Sequence, residues 1–209
     1  MTDASETLWD KVYSEKPHTL HGWYEPSPTR SIELIQELSV PLDSVMADVG
    51  CGQSNFISDL IQHGFRQIYA IDVSSTAMEN LRGALGKDSL EVKFISADVS
   101  TKNFPSLDKK VDVWHDRTLL HFFTGEKERK QYRRNLLTNL RSGGYAIFAE
   151  HSRTGPEYCS GQKLFRYEAD DYRLLLGNDF ELIKVFKHDQ PSPSGSVRNL
   201  TYAVFRKSC

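Results

Sequence analysis

The sequence lacks several features that would assign a protein to a class at once. Its three cysteines are too few and odd in number for a disulfide framework, which indicates a reducing compartment. No apolar run reaches the roughly 18 residues of a membrane span, and the N-terminus is polar and acidic, unlike a signal peptide. Basic runs stay short and the formal net charge is −2, which argues against electrostatic capture of nucleic acid or membranes. We expect a cytoplasmic protein of 209 residues.

A glycine-rich turn after the first apolar segment is the most informative motif. Residues 44–55 read Ser-Val-Met-Ala-Asp-Val-Gly-Cys-Gly-Gln-Ser-Asn, and a second acid, Asp72, ends the next apolar segment. This arrangement brings backbone close to a ligand and places an acid on two ribose hydroxyls. The third glycine of a dinucleotide-binding loop is absent, since Asn55 stands there, and Asp48 would repel a diphosphate. Asp48 instead suits a cationic ligand without phosphate, such as S-adenosylmethionine (SAM), and a dehydrogenase is a remote alternative.

Three further landmarks follow in order. Phe94–Val99 is an apolar segment containing Asp98, the segment Val111–Arg117 begins with a strand and leads into the expected site, and a Gly143-Gly144 turn precedes another strand. Together with the loop and Asp72, they resemble the class I, seven-strand, SAM-dependent methyltransferases over residues 44–150. The resemblance implies that SAM is the cofactor. It assigns cofactor binding to Trp9, Tyr13, Asp48, Gly50, Cys51, Gly52, Asn55, Asp72, Val73, Ser74, Asp98, Val99 and His115.

The fold implied by this resemblance is α/β, with one Rossmann-like, doubly wound sheet of seven strands. The strand order is 3-2-1-4-5-7-6, strand seven is antiparallel, and helices cover both faces. We expect a single domain, in which 1–43 forms N-terminal helices and a lid, 44–150 the cofactor core, and 151–209 a helix and hairpin that complete the sheet. Local signals predict that Ser27 caps a helix beginning at Pro28, and that strands four and five span 111–115 and 144–150.

The candidate catalytic residues are Arg117, His115 and His121. The planar fork of Arg117 suits an acidic group on the substrate or the SAM carboxylate. His115 or His121 would accept a proton near neutral pH. The alternative is structural, with Asp116 and Arg117 forming an ion pair that fixes the turn and His121 packing near the surface.

Two subgroups share features with the segment after strand four. Trp-His-Asp-Arg-x-Leu-Leu-His-Phe-Phe, beginning at Trp114, resembles thiol and thiopurine methyltransferases. It also resembles the Asp-Lys-Gly segment of small lysine methyltransferases, although Arg117 replaces the lysine and Thr118 the glycine. Both subgroups begin with Trp-Asp-x-x-Tyr, which Trp9 to Tyr13 matches.

The leading functional hypothesis is methyl transfer from SAM to a small-molecule acceptor, with thiols and other soft nucleophiles first. Protein lysine methylation is the alternative, and a non-catalytic SAM-binding protein is a further one. No metal spacing and no clear His/Glu base pair is evident, and Cys159 is expected to be passive. Neither nucleic acid nor membrane is an expected partner, and the oligomeric state is open. A lysine methyltransferase would need an acidic groove, for which the candidates are Glu150, Glu157, Glu168, Asp170 and Asp171.

Overall fold

Seven strands form one mixed sheet in the computed structural model, which describes residues 4–209. The strands are β1 Val45–Val49, β2 Gln67–Asp72, β3 Val92–Ser96, β4 Val111–Arg117, β5 Leu140–His151, β8 Phe180–Pro191 and β9 Val197–Lys207. Their order is β3-β2-β1-β4-β5-β9-β8, and β9 runs antiparallel to both of its neighbours while β1 to β5 pair in parallel. The predicted fold and strand order are therefore confirmed.

The helices divide the apolar core between the two faces of this sheet. They are α1 Ala4–Glu15, α2 Thr29–Glu37, α3 Phe56–Gln62, α4 Ser75–Leu85, α5 Glu126–Asn139 and α6 Ala169–Leu176, with short 3-10 turns at His18–Leu20, Gly86–Glu91, Leu120–Phe122 and Gly177–Asp179. Neighbouring strand residues point to opposite faces, so that Met46 packs with α2 and α3 while Ala47 packs in the cluster that includes α5 and α6. In the part of the chain that the structure describes, no helix is long and apolar enough to cross a membrane.

Three local predictions need correction. Ser27 does not cap α2, because its hydroxyl donates to Asp59 Oδ2 (2.6 Å) and the N-cap position is Pro28 without a side-chain hydrogen bond. Strand β4 continues to Arg117 and β5 already begins at Leu140, since sheet pairing extends both strands beyond their local signals. The loop after β5 contains an additional hairpin, formed by β6 Tyr158–Cys159 and β7 Gln162–Lys163.

Candidate active site

A cavity of about 500 Å³ lies at the carboxyl ends of the parallel strands, where ligands bind in open α/β sheets. Most of the predicted site residues line it: Trp9, Tyr13, Asp48, Gly50, Cys51, Asp72, Val73, Asp98, Val99, His115, Arg117 and His121. Three predicted residues contribute to its framework instead. Gly52 donates its N–H to Asp72, Asn55 donates to the Glu25 carbonyl (2.8 Å), and Ser74 caps α4.

Asp72 is held at the end of β2 by two backbone donors. Its Oδ2 accepts the N–H of Gly52 (2.8 Å) and its Oδ1 accepts the N–H of Ser74 (2.9 Å). Burial raises the pKa of Asp72 to about 6, with a smaller contribution from the charge of Asp48. Each carboxylate oxygen can accept more than one hydrogen bond, so the fixed side chain still has acceptor capacity for a diol.

Asp48 and His115 form a buried pair across β1 and β4. His115 Nδ1 lies 2.8 Å from Asp48 Oδ1, and Nε2 lies 2.9 Å from the Ser31 hydroxyl, while the ring stacks on Phe56. Both ring nitrogens are thus engaged within the protein, which leaves neither for a substrate proton. Asp48 Oδ2 is buried and has no hydrogen-bond partner among residues 4–209. An unpaired carboxylate oxygen in a cavity suits an ammonium group, as the methionine part of SAM provides.

The N-terminal helix covers the glycine loop. The Tyr13 hydroxyl lies so close to Gly52 that any side chain there would overlap it, and a Cβ at Gly50 would lie 2.6 Å from Leu119 Cβ. Asp10 fixes α1 to the start of α4, because it accepts from the Ser74 hydroxyl (2.6 Å) and the N–H of Thr76 (2.9 Å). The aspartate of the Trp-Asp-x-x-Tyr segment therefore anchors the lid, a role that the sequence did not indicate.

Arg117 pairs with the lid and not with its neighbour Asp116. Its Nη1 lies 3.2 Å from Glu25 Oε2 and donates to the Trp23 carbonyl (3.1 Å). Asp116 instead accepts from the Tyr132 hydroxyl (2.6 Å) on the other face of β4. The predicted alternative of an Asp116–Arg117 ion pair is therefore wrong, since adjacent strand residues face opposite sides of the sheet.

His121 lines the cavity and forms a fully buried pair with Glu150. His121 Nδ1 lies 2.6 Å from Glu150 Oε2, a short contact that is not aligned as a hydrogen bond, and His121 Nε2 has no partner among the described residues. The expectation that no His/Glu pair exists is wrong, as is the alternative that His121 lies near the surface. The two residues are 29 positions apart, and only the position of β5 beside the turn after β4 brings them together.

Burial sets the protonation of this pair. It raises the pKa of Glu150 to about 7 and lowers that of His121 well below its ordinary value, with Arg198 lowering it further. Asp116 Oδ1 and Glu150 Oε1 both accept the N–H of Leu120, so two acids lie side by side. Burial and the charge of Glu150 raise the pKa of Asp116 well above its usual range. The pKa of Glu150, at about 7, lies close to neutrality.

Arg198 and Cys159 also line the cavity; Arg198 is not among the predicted site residues, and Cys159 is expected to be passive. Arg198 belongs to β9, where it reads as part of an alternating strand. Its Nη2 donates to His151 Nε2 (2.8 Å), and its Nη1 is buried without a partner in the described part of the chain. Cys159 comes from the β6–β7 hairpin.

The five acids proposed for an acidic groove are buried or paired with cations. Glu150 is buried beside His121 and so does not lie at a rim. The other four candidates are each matched by a cation, in the pairs Glu157–Arg166, Glu168–Lys187, Asp170–Arg173 and Asp171–Arg153.

Within residues 4–209, no three His, Cys, Asp or Glu side chains are grouped so that they would hold a metal ion.

Comparisons with known proteins agree with this geometry. Residues 47–148 match the methyltransferase domain family. Mouse EEF1A lysine methyltransferase 2 is 27% identical over 177 residues, which cover 75% of this chain and 71% of the mouse protein. The N-methyltransferase NodS from Bradyrhizobium japonicum, solved with S-adenosylhomocysteine (SAH), superimposes with a TM-score of 0.72 at 18% identity, covering 98% of this chain and 99% of NodS.

A second solved structure has the same fold. It comes from work on the conversion of a disulfide bond into a thioacetal group during echinomycin biosynthesis, and superimposes with a TM-score of 0.77 at 17% identity. The match covers 97% of this chain and 93% of that one. Residues 47–148 therefore form a methyltransferase domain of the class I, Rossmann-like, SAM-dependent type, and SAM is its cofactor.

Proposed function

We propose that the protein transfers the methyl group of SAM to a small-molecule acceptor, with His121 as the general base. The observation that carries the proposal is the burial of the polar groups at the acceptor end of the cavity. His121 is 0% exposed and Arg198 is 6% exposed, although both line the cavity. A group that reacts there must enter the protein, and a small molecule does so without the long exposed groove that a protein substrate occupies.

Residues at one end of the cavity would bind the cofactor, and residues at the other end would accept a proton from the methyl acceptor. SAM supplies an electrophilic methyl group. Asp72 suits the ribose hydroxyls, Asp48 Oδ2 the ammonium, and Asp98 the adenine side of the cavity. This fixed orientation would align the acceptor for in-line attack while the lid excludes water.

His121 has the properties of a base in this setting. Its lowered pKa keeps the ring neutral, and its unpartnered Nε2 is free to take a proton from a thiol, hydroxyl or ammonium group. Glu150, on the Nδ1 side, would stabilise the imidazolium that forms. His115 would act as a positioning residue that holds Asp48, and Arg117 as one that holds the lid through Glu25.

Protein lysine methylation is the second candidate. It is favoured by the similarity to mouse EEF1A lysine methyltransferase 2, whose name states its substrate. The buried positive charge of Arg198 weighs against it, because a lysine ammonium in the same cavity would be repelled. Glu157, Glu168, Asp170 and Asp171 each have a cation partner, which reduces the negative charge available to such a substrate.

The test follows a tritiated methyl group from SAM into two fractions of one cell extract, the small molecules and the proteins. We expect label in the small-molecule fraction, with thiols as the first pure compounds to assay. His121→Gln should lower this transfer about 10²-fold or more while SAH binding is retained, and the exposed His63→Gln serves as the matched control.

Each other result contradicts a part of the proposal. Label confined to protein would favour the lysine methyltransferase. Binding of SAM without transfer to either fraction would favour a non-catalytic binding protein. Full activity of His121→Gln would remove His121 from the mechanism.

A further inference from the structure

Arg198 presents a positive charge to the cavity that the protein does not neutralise. Its side chain lies at the start of β9 and is only 6% exposed. Among the described residues, no carboxylate lies within 4 Å of its guanidinium, and Nη1 has no hydrogen-bond partner. A buried arginine without a counter-ion is costly, so its unused donor needs an explanation.

Among residues 4–209, the neighbouring side chains leave Arg198 without a paired carboxylate. His151 accepts from Nη2 and is therefore neutral, and burial together with Arg198 lowers its pKa to about 2. Glu150 faces His121, and Glu25 pairs with Arg117. The guanidinium itself stays charged at neutral pH, since burial lowers its pKa only to about 10.

We infer that the methyl acceptor is a small acid, whose carboxylate binds Arg198 while its nucleophile meets His121. This inference rests on the proposed function and names its substrate class. Arg198 and His121 both line the cavity and both adjoin His151, whose ring centroid lies 5.0 Å from that of His121 and whose Nε2 accepts from Arg198. Arg198 Nη1 and His121 Nε2 are buried without a hydrogen-bond partner among the described residues. A carboxylate matches the donors of a guanidinium, and a nucleophilic S–H, O–H or N–H matches a neutral imidazole.

The same charge gives selectivity. A neutral acceptor would leave the guanidinium unpaired in the closed cavity, and a cationic one would be repelled. A charge-assisted contact in a buried site corresponds to about a tenfold or larger difference in affinity between an acid and its neutral counterpart. The planar guanidinium can also bind both oxygens of a carboxylate, a preference that a lysine in the same place would not reproduce.

The experiment compares matched acid and neutral probes on the SAH-loaded protein. The pairs are 3-mercaptopropionate with 3-mercaptopropanol, and 4-mercaptobenzoate with its methyl ester, titrated by calorimetry. We expect each acid to bind about tenfold or more tightly than its partner. Arg198→Met should abolish this preference and Arg198→Lys should reduce it, while SAH affinity stays unchanged. The exposed Arg134→Met is the control, and thermal unfolding verifies that each variant folds.

Four results would overturn the inference. Equal binding of acid and neutral probes by the wild type would show that Arg198 does not recognise the acceptor. Loss of SAH affinity in a folded Arg198→Met would assign the guanidinium to the carboxylate of the cofactor. Methyl transfer to neutral thiols but not to acids would support a small-molecule methyltransferase whose acceptor is not an acid. Label found only in protein would contradict both the proposed function and the inferred substrate class.

Discussion

Binding of SAH should weaken as the pH falls through 6, because Asp72 must be ionised to accept both ribose hydroxyls. With a pKa of about 6, only roughly one tenth of the side chain is ionised at about pH 5, so the Kd should rise about tenfold relative to about pH 7.5. An aspartate with its ordinary pKa of 3.8 would stay ionised over this range, and the Kd would not change. Calorimetric titration with SAH distinguishes the two cases.

Unfolding does not mimic this effect through Asp72. Its pKa is raised in the folded state, so protonation between about pH 6 and about pH 4 removes an unfavourable buried charge and favours folding. Asp72 therefore does not lower the free energy of unfolding as the pH decreases. A thermal midpoint measured at each pH gives the check.

Asp72→Asn removes the charge and keeps the shape. We expect its Kd for SAH to rise about 10- to 100-fold at neutral pH and to lose most of its pH dependence, since charge-assisted hydrogen bonds are replaced by neutral ones. The exposed Asp88→Asn is the matched control. The reasoning is refuted if the wild type binds SAH equally at both pH values, or if Asp72→Asn binds as tightly as the wild type. Tight binding of NAD in the same titration would contradict the cofactor assignment.

Two further predictions concern the strand ends around the cavity. Thr118 has a φ of +68°, a left-handed conformation that disfavours a β-branched residue. Thr118→Gly should therefore raise the free energy of unfolding, measured by urea titration, by about 1 kcal/mol. A destabilised variant would show that the substitution relieves no strain. Glu150→Gln should lower kcat about 10²-fold with unchanged SAH affinity. In the wild type, kcat should fall as the pH drops through about 7, because Glu150 gains a proton there. If kcat of Glu150→Gln shows the same fall with decreasing pH, Glu150 is not the group that causes it.

The sheet order and the cofactor end of the cavity could be predicted because their signals are local. Each is a strand followed by a glycine or an acid, and the parallel order then brings the strand ends together. Thr118 is a related case, since it occupies the place of the glycine in the compared Asp-Lys-Gly segment and adopts the left-handed φ that glycine favours.

The acceptor end could not be predicted, because its parts are distant in the sequence. Strand β9 inserts between β5 and β8, and this tertiary pairing alone brings Arg198 to His151. The same holds for His121 and Glu150, which meet across the turn after β4. The Asp116–Arg117 pairing failed for the opposite reason: sequence adjacency suggested a contact that the alternation of a strand forbids.

The most direct test of the account is an experimental structure of the protein with SAH. We predict that the ribose hydroxyls lie on Asp72, that the amino group faces Asp48 Oδ2, and that the sulfur opens toward His121, leaving room for a nucleophile about 3–3.5 Å from the transferred methyl group. The space between His121 and Arg198 should remain free for the acceptor. A cofactor whose adenine or carboxylate fills that space, or whose sulfur faces away from His121, would contradict the account.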